Sequence, residues 1–281
     1  MLEKIIQSVD SIPAFPSVTN KIMSLVTRED YAITDLVKLI EYDQSIAANV
    51  IKMSNSAYFG ARHKIKTIHD AVVYLGQQNL IHLVQTAGAS RFYRKASGGY
   101  AQPARDLWKH SVAVAIMSQI LSQKILQQVN PTLYAAALLH DIGKVFLGEY
   151  VQQSIQKIEK LVEQDGRSFL EGEKEVLGID HAELGEMIAH HWNFPEEIRE
   201  GIAYHHRPNL GQGENIIPWL VYLADQLCLM LGGVNGGVDG LAYRGMEESL
   251  TRFNLKNTDL EKSIITFYDL MQEAEDVLNV V

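Results

Sequence analysis

The stretch Leu138-Leu139-His140-Asp141-Ile142-Gly143-Lys144 puts an imidazole, a carboxylate and an ammonium within five positions, between apolar runs at 135–139 and 145–147. Burying a histidine beside an aspartate costs on the order of several kcal/mol unless both are paired or face a cation. Adjacent side chains diverge by about 100° around a helix, so His140 and Asp141 can share one ligand only where a helix ends. Gly143 is read as that end. A surface turn is the competing reading, and the apolar flanks argue against it. Asp225 is a second anomaly, a carboxylate midway along the apolar run 219–228. It needs a partner there, unless it and Gln226 form a solvated face.

Other donors are individually weaker. Asp106 and His110 stand four apart, on one helix face, and that spacing makes both candidate ligands. Alone, they would read as a first-turn carboxylate and a structural histidine. His181 follows a capping Asp180, and His205-His206 precede Pro208 at a helix end, where the helix dipole also favours histidine. His190-His191 read as packing or surface residues, and His63, His69 and His82 as structural or solvated. Imidazole plus carboxylate without thiolate suits one or two divalent transition-metal ions: iron, manganese, nickel or zinc. It argues against a cysteine-rich structural zinc site.

The elements that must position these donors read as helical. Thr34 is expected to cap 35–42, followed by 45–54, and Thr67 a helix that Gly76 stops. The Ser-, Gly- and Pro-containing segment 96–103 divides the chain into halves at 1–97 and 98–281. A long helix at about 105–129 opens the second half. Asn130-Pro131 then starts 132–142, and 148–164 ends before Gly166. Ser168 with Glu171, Asp180 with Glu183 and Thr258 with Glu261 read as capping boxes. Pro195 opens a helix that runs to Pro208, and another runs from about Pro218 to Gly232-Gly233, before a glycine-rich loop at 232–240. The last helix extends to about 278. No period-two alternation is long enough for a strand, so the expected class is all-α, as two packed helical subdomains.

Composition bounds the rest. In 281 residues, 47% are hydrophobic and 21% charged, as in a soluble globular chain of one large or two smaller domains. A net charge of −9 argues against general nucleic-acid binding, although Arg62, Lys64 and Lys66 form a local basic patch. The single cysteine, Cys228, lies in an apolar run and reads as a buried hydrophobe. The N-terminus lacks a secretory pattern, and Pro218, Asp225 and Gln226 interrupt the longest apolar stretch. A cytoplasmic protein without membrane association is expected.

The order His110, His140-Asp141, Asp225 resembles the H…HD…D pattern of the HD superfamily of metal-dependent phosphohydrolases. His181 and the pair His205-His206 look like the added ligands of its HD-GYP subclass, which holds two or three metals. Asp106 falls where some of that subclass place a glutamate, and Lys144 matches a lysine that contacts phosphate there. The Gly-Tyr-Pro signature is absent, since Arg207-Pro208-Asn209 follow His206. The rest of the chain resembles HDOD domains, through IPAFP at 12–16, IEYDQS at 40–45, NSAYFG at 55–60, AVVYLG at 71–76 and HWNFP at 191–195. These stretches span about residues 12–230.

HDOD domains are bacterial signalling modules, and many have lost the metal ligands that this chain keeps. The resemblance therefore implies a signal-transduction module with a metal centre and protein partners in a pathway. A metal-dependent phosphohydrolase acting on a phosphodiester or nucleotide is the alternative. There Asp141 and Lys144 would serve catalysis, and the altered Gly-Tyr-Pro segment makes cyclic di-GMP a poor substrate. A redox or oxygen-sensing iron centre would use the same ligands.

Overall fold

The computed structural model describes residues 1–27, 31–61, 63–94, 98–100, 103–211, 213–231, 246–274 and 278. Among them the regular elements are helices and no strand occurs. Arg62, half of the 96–103 junction and the glycine-rich loop at 232–240 lie outside the described residues.

The first half contains α1 (Leu2–Val9), α2 (Ser17–Val26), α3 (Ile33–Glu41), α4 (Gln44–Ser54) and α5 (Ile68–Tyr93). Asp43 caps α4 by accepting from the Ser45 and Ile46 amides at 3.0 and 3.1 Å. Thr67 and Asp70 box the start of α5. Gly76 interrupts α5 with a φ of 79°, a conformation that costs glycine little. Beyond that break, α5 becomes an arm with a nearly continuous buried face from Leu80 to Tyr93. Thr34 is not a cap, because α3 begins one residue before it, with Ala32 at the N-cap.

The second half contains α6 (Ala104–Leu126), α7 (Pro131–Leu139), α8 (Ile142–Asp165), α9 (Phe169–Leu177), α10 (His181–His191), α11 (Glu196–Ala203), α12 (Ile217–Met230), α13 (Met246–Arg252) and α14 (Asn257–Glu273). Asn130, Ser168 and Asp180 cap as expected. Thr258 and Glu261 do not, since α14 starts at Asn257 and the Lys256 amide donates to Asp259 Oδ2 at 3.1 Å. α11 ends at Ala203, well short of Pro208.

Two apolar cores result. The smaller joins α2 to α5 through residues such as Ile22, Leu36, Val50 and Leu80. The larger is built on α6, α7 and α12, and it also takes in Ile5, Val9 and Phe15 from the start of the chain. Phe15 stacks on Phe92 at 5.4 Å and meets Trp192 at 4.9 Å and Phe194 at 5.0 Å. The N-terminal segment is thereby bound to the second half. α6 packs most heavily on α7 and α12, the two helices that bring the HD pair and Asp225 to its His110.

Candidate metal centre

Each donor sits where a helix starts, stops or turns inward. His110 faces the core from α6, completely buried, and Asp225 does the same from α12. His140 and Asp141 form the break between α7 and α8. Gly143 does not make that break: it lies in the first turn of α8. A Cβ there would come within 1.9 Å of the His181 carbonyl oxygen. Its role is clearance, letting the start of α10 press against the HD turn so that His181 reaches Asp141. His205 and His206 occupy the turn after α11.

Asp141 is the hub. Its Oδ2 lies 3.3 Å from His140 Nε2 and 3.8 Å from His110 Nε2. Its Oδ1 lies 3.5 Å from His181 Nε2 and 3.7 Å from His205 Nε2. Asp225 Oδ1 completes the first side, 3.0 Å from His110 Nε2 and 3.8 Å from His140 Nε2. His206 completes the second, its Nε2 being 2.9 Å from His181 Nε2. The donors thus fall into two groups: His110, His140 and Asp225, and Asp141, His181, His205 and His206. One carboxylate faces both.

The imidazoles are oriented as metal ligands are. His140 Nδ1–H donates to the Ala137 carbonyl and His205 Nδ1–H to the Ile202 carbonyl, each at 2.7 Å. His181 Nδ1–H donates to Glu173 Oε2, also at 2.7 Å. A carbonyl or carboxylate oxygen can only accept here, so in all three rings the proton sits on Nδ1. Nε2 then presents either a lone pair or a second proton to Asp141. His140 Nε2, His205 Nε2, Asp141 Oδ1 and Asp225 Oδ2 are buried and have no hydrogen-bond partner among the described residues. Lone pairs and carboxylate oxygens converging in a dry interior repel unless a cation lies among them. This donor chemistry fits a divalent transition-metal ion.

The electrostatics divide the imidazoles: burial keeps His205 and His206 neutral, whereas, against the same burial, His140 beside Asp141 and His181 beside Glu173 are pushed up towards the charged form. Burial pushes His205 down to about 3, helped by the neighbouring His140, and it also holds His206 well below the usual histidine range. Both stay neutral, as a ligand requires. Burial opposes charge on His181 as well, but the Glu173 carboxylate outweighs it and lifts the imidazole to about 9. Asp141 is buried too, yet His140 and Lys144 hold its carboxyl well below the ordinary range. Lys144 Nζ donates to Asp141 Oδ2 at 2.9 Å.

Of the sequence-derived ligands, the structure gathers His110, His140, Asp141, His181, His205, His206 and Asp225. Asp106 is not brought in: it is exposed on the first turn of α6, outside both groups. His190 is exposed and Cys228 buried, as their contexts predict. Glu173 was not visible from sequence. It is fully buried on α9 and accepts from both the His181 ring and the His181 amide, the latter at 3.0 Å. Tyr100 OH donates to its other oxygen. A faint signal exists, because Glu173 falls four residues after Phe169 and four before Leu177, on the buried stripe of α9.

A family model described as "HDOD domain" matches residues 12–208. The chain belongs to the HDOD domain family. An uncharacterized protein of Treponema pallidum (strain Nichols) is 27% identical to it over 200 residues, covering 70% of this HDOD chain and 38% of the relative. This chain therefore spans well under half of that relative's length. Among solved structures, an HDOD domain protein of unknown function from Geobacter sulfurreducens superposes with a TM-score of 0.78 at 24% identity, over 98% of this chain and 97% of that one. A protein of Shewanella amazonensis SB2B, named as a candidate phosphohydrolase, gives 0.74 at 24% identity over 97% of each chain. Both likenesses establish the fold of the HDOD domain. No helix among the described residues is long and apolar enough to cross a membrane.

Proposed function

We propose that this HDOD protein is a cytoplasmic signal-transduction module built around a metal centre of one or two divalent transition-metal ions, and that it acts through protein partners. The observation that carries the reading is Asp141, whose two oxygens face separate histidine groups and which is itself buried. His110, Asp141, His181, His205 and Asp225 are each no more than 1% exposed. Donors so deeply placed are suited to holding an ion and fixing the packing of α6, α7, α10 and α12 around it. Such packing is what a partner surface would sense.

A second reading is metal-dependent hydrolysis of a phosphodiester or nucleotide. One observation favours it: His206 is only partly buried, so the second group has a solvent-facing edge. A divalent ion held there would supply Lewis acidity. Lys144 would not reach outward to a phosphate, because it is buried and committed to Asp141. Its role in this geometry is to keep Asp141 ionised.

Elemental analysis of protein purified without chelator tests the centre, and about one or two equivalents of a transition metal are expected from two donor groups. Less than about a tenth of an equivalent would overturn it. Loaded protein should then be assayed on a generic activated phosphodiester and on cyclic di-GMP. A metal-dependent rate on the generic ester that disappears in His140→Ala would promote the hydrolase reading over the signalling one.

A further inference from the structure

Away from the metal ligands, a cleft of about 530 Å³ opens where α5 of the first half meets α6, α7 and α14 of the second. It continues inward into a recess of about 30 Å³ that shares Tyr58, Asn79, His82, Ile116 and Tyr134 with it. The larger volume is within the range of small-molecule sites.

Three features of its walls converge. The first is aromatic. His82 lies flat on Tyr134, with ring centroids 4.1 Å apart and planes 11° from parallel, and Tyr58 comes from the NSAYFG segment, which the metal centre leaves unused. Tyr134 is held in place by its hydroxyl, 2.9 Å from Thr86 Oγ1. The second is polar. His82 Nε2 is buried and has no hydrogen-bond partner among the described residues. Burial pushes this imidazole down to about 3, so it stays neutral at ordinary pH and can hydrogen-bond without carrying charge. The third is electrostatic. The ionised groups on the lining are Lys124, Asp259 and Lys262, two cations against one anion, on a chain whose net charge is −9. Asp259 pairs with Lys124 at 2.6 Å and also lies in the field of Lys262, so the lining keeps one net positive charge, carried at its exposed edge by Lys262.

We propose that this cleft binds a small, flat heteroaromatic molecule carrying an anionic group. The ring would lie against Tyr58, His82 and Tyr134, a ring atom would meet His82 Nε2, and the anion would sit at the Lys262 mouth. Flat rings suit aromatic walls, and an edge nitrogen or carbonyl satisfies the imidazole. An aliphatic chain would fill the apolar parts but leave His82 Nε2 unsatisfied. Since the cleft is walled by both halves, its occupant would touch α5 of the first and α6, α7 and α14 of the second.

Calorimetric titration of the metal-loaded, full-length protein tests this. The probes are adenosine 5′-monophosphate and indole-3-acetate, which share a flat ring and an anion but differ in phosphate against carboxylate, with decanoate as the aliphatic control. At least one aromatic anion should bind with a Kd below about 1 mM, and decanoate should not. Lys262→Glu should weaken that binding about tenfold, equivalent to about 1.4 kcal/mol. Thr266→Trp, at an exposed position on the lining, should block it. Metal content should stay unchanged in both. Binding by neither aromatic probe, binding by decanoate alone, or equal affinity in Lys262→Glu would each overturn the proposal. Lys262 is exposed, so that variant decides the matter even if Thr266→Trp does not fold.

Discussion

The two sides of Asp141 are built differently. His110, His140 and Asp225 come from α6, the α7–α8 break and α12, the most heavily packed part of the larger core, and all three are buried. The other side draws His181 from the start of α10 and His205 and His206 from a turn, and it reaches solvent at His206. An ion on the first side would be enclosed by core helices. On the second side it would be held by a helix terminus and a loop, elements that open at lower free energy. With ions on both sides, one carboxylate would join an enclosed site to a more open one. The first would be expected to retain its metal through purification, and the second to trade it.

Breaking the hub should have the largest effect. Asp141→Ala removes the carboxylate that faces both groups and the acceptor of the Lys144 hydrogen bond. A loss of about 3–5 kcal/mol in unfolding free energy is expected, together with nearly all metal, read by denaturant titration and elemental analysis. Retention of one full equivalent would show that the sides are independent. Next in size, Glu173→Gln keeps the shape of the side chain but weakens the hold on the His181 ring. Affinity on the second side should fall about 10- to 100-fold with the first side unaffected, measured by competition with a chelator. Equal losses on both sides would dissolve the distinction.

The third prediction concerns pH. In chelated protein His181 titrates near 9 in the fold, against about 6.5 when unfolded. Its contribution is therefore complete below about 6.5 and is lost as pH rises through about 9, at a slope of at most about 1.4 kcal/mol per pH unit. Metal-loaded protein should lack this loss, because the ion replaces the proton on Nε2. Denaturant midpoints of both forms between those pH values check it. The smallest effect belongs to His206→Ala, which should lower metal content on the second side while changing stability by less than about 1 kcal/mol, since the side chain is partly exposed.

The all-helical class and the first side of the centre could be read from sequence, because a charged residue in an apolar helix has few explanations. Asp225 and the HD pair announce themselves that way. The second side was readable mainly through resemblance, since histidines beside caps and prolines have ordinary explanations. Glu173 escaped because it stands among Glu171, Lys174 and Glu175, where one inward-facing glutamate looks like its solvated neighbours. Gly143 misled in a different way. The local rule assigns such a glycine to a helix end, whereas its missing side chain serves a neighbour 38 residues on, at His181 (181 − 143). Asp106 has the spacing to share a helical face with His110, but it stands exposed in the first turn of α6, one turn before the buried imidazole.

The seat of the first residues has a consequence for synthesis. The Trp192 indole N–H donates to the Pro13 carbonyl at 3.1 Å, across 179 positions of chain. At 5–20 residues per second, a ribosome would need about 10–35 s to deliver that tryptophan after Pro13 has been made. Until then Phe15 can meet Phe92 but not Trp192 or Phe194, while the smaller core of α2 to α5 can already close. The growing chain thus keeps this apolar segment short of its final partners until α10 and the residues after it have been made. Its production in cells should depend on chaperone supply more than the finished protein's stability would suggest.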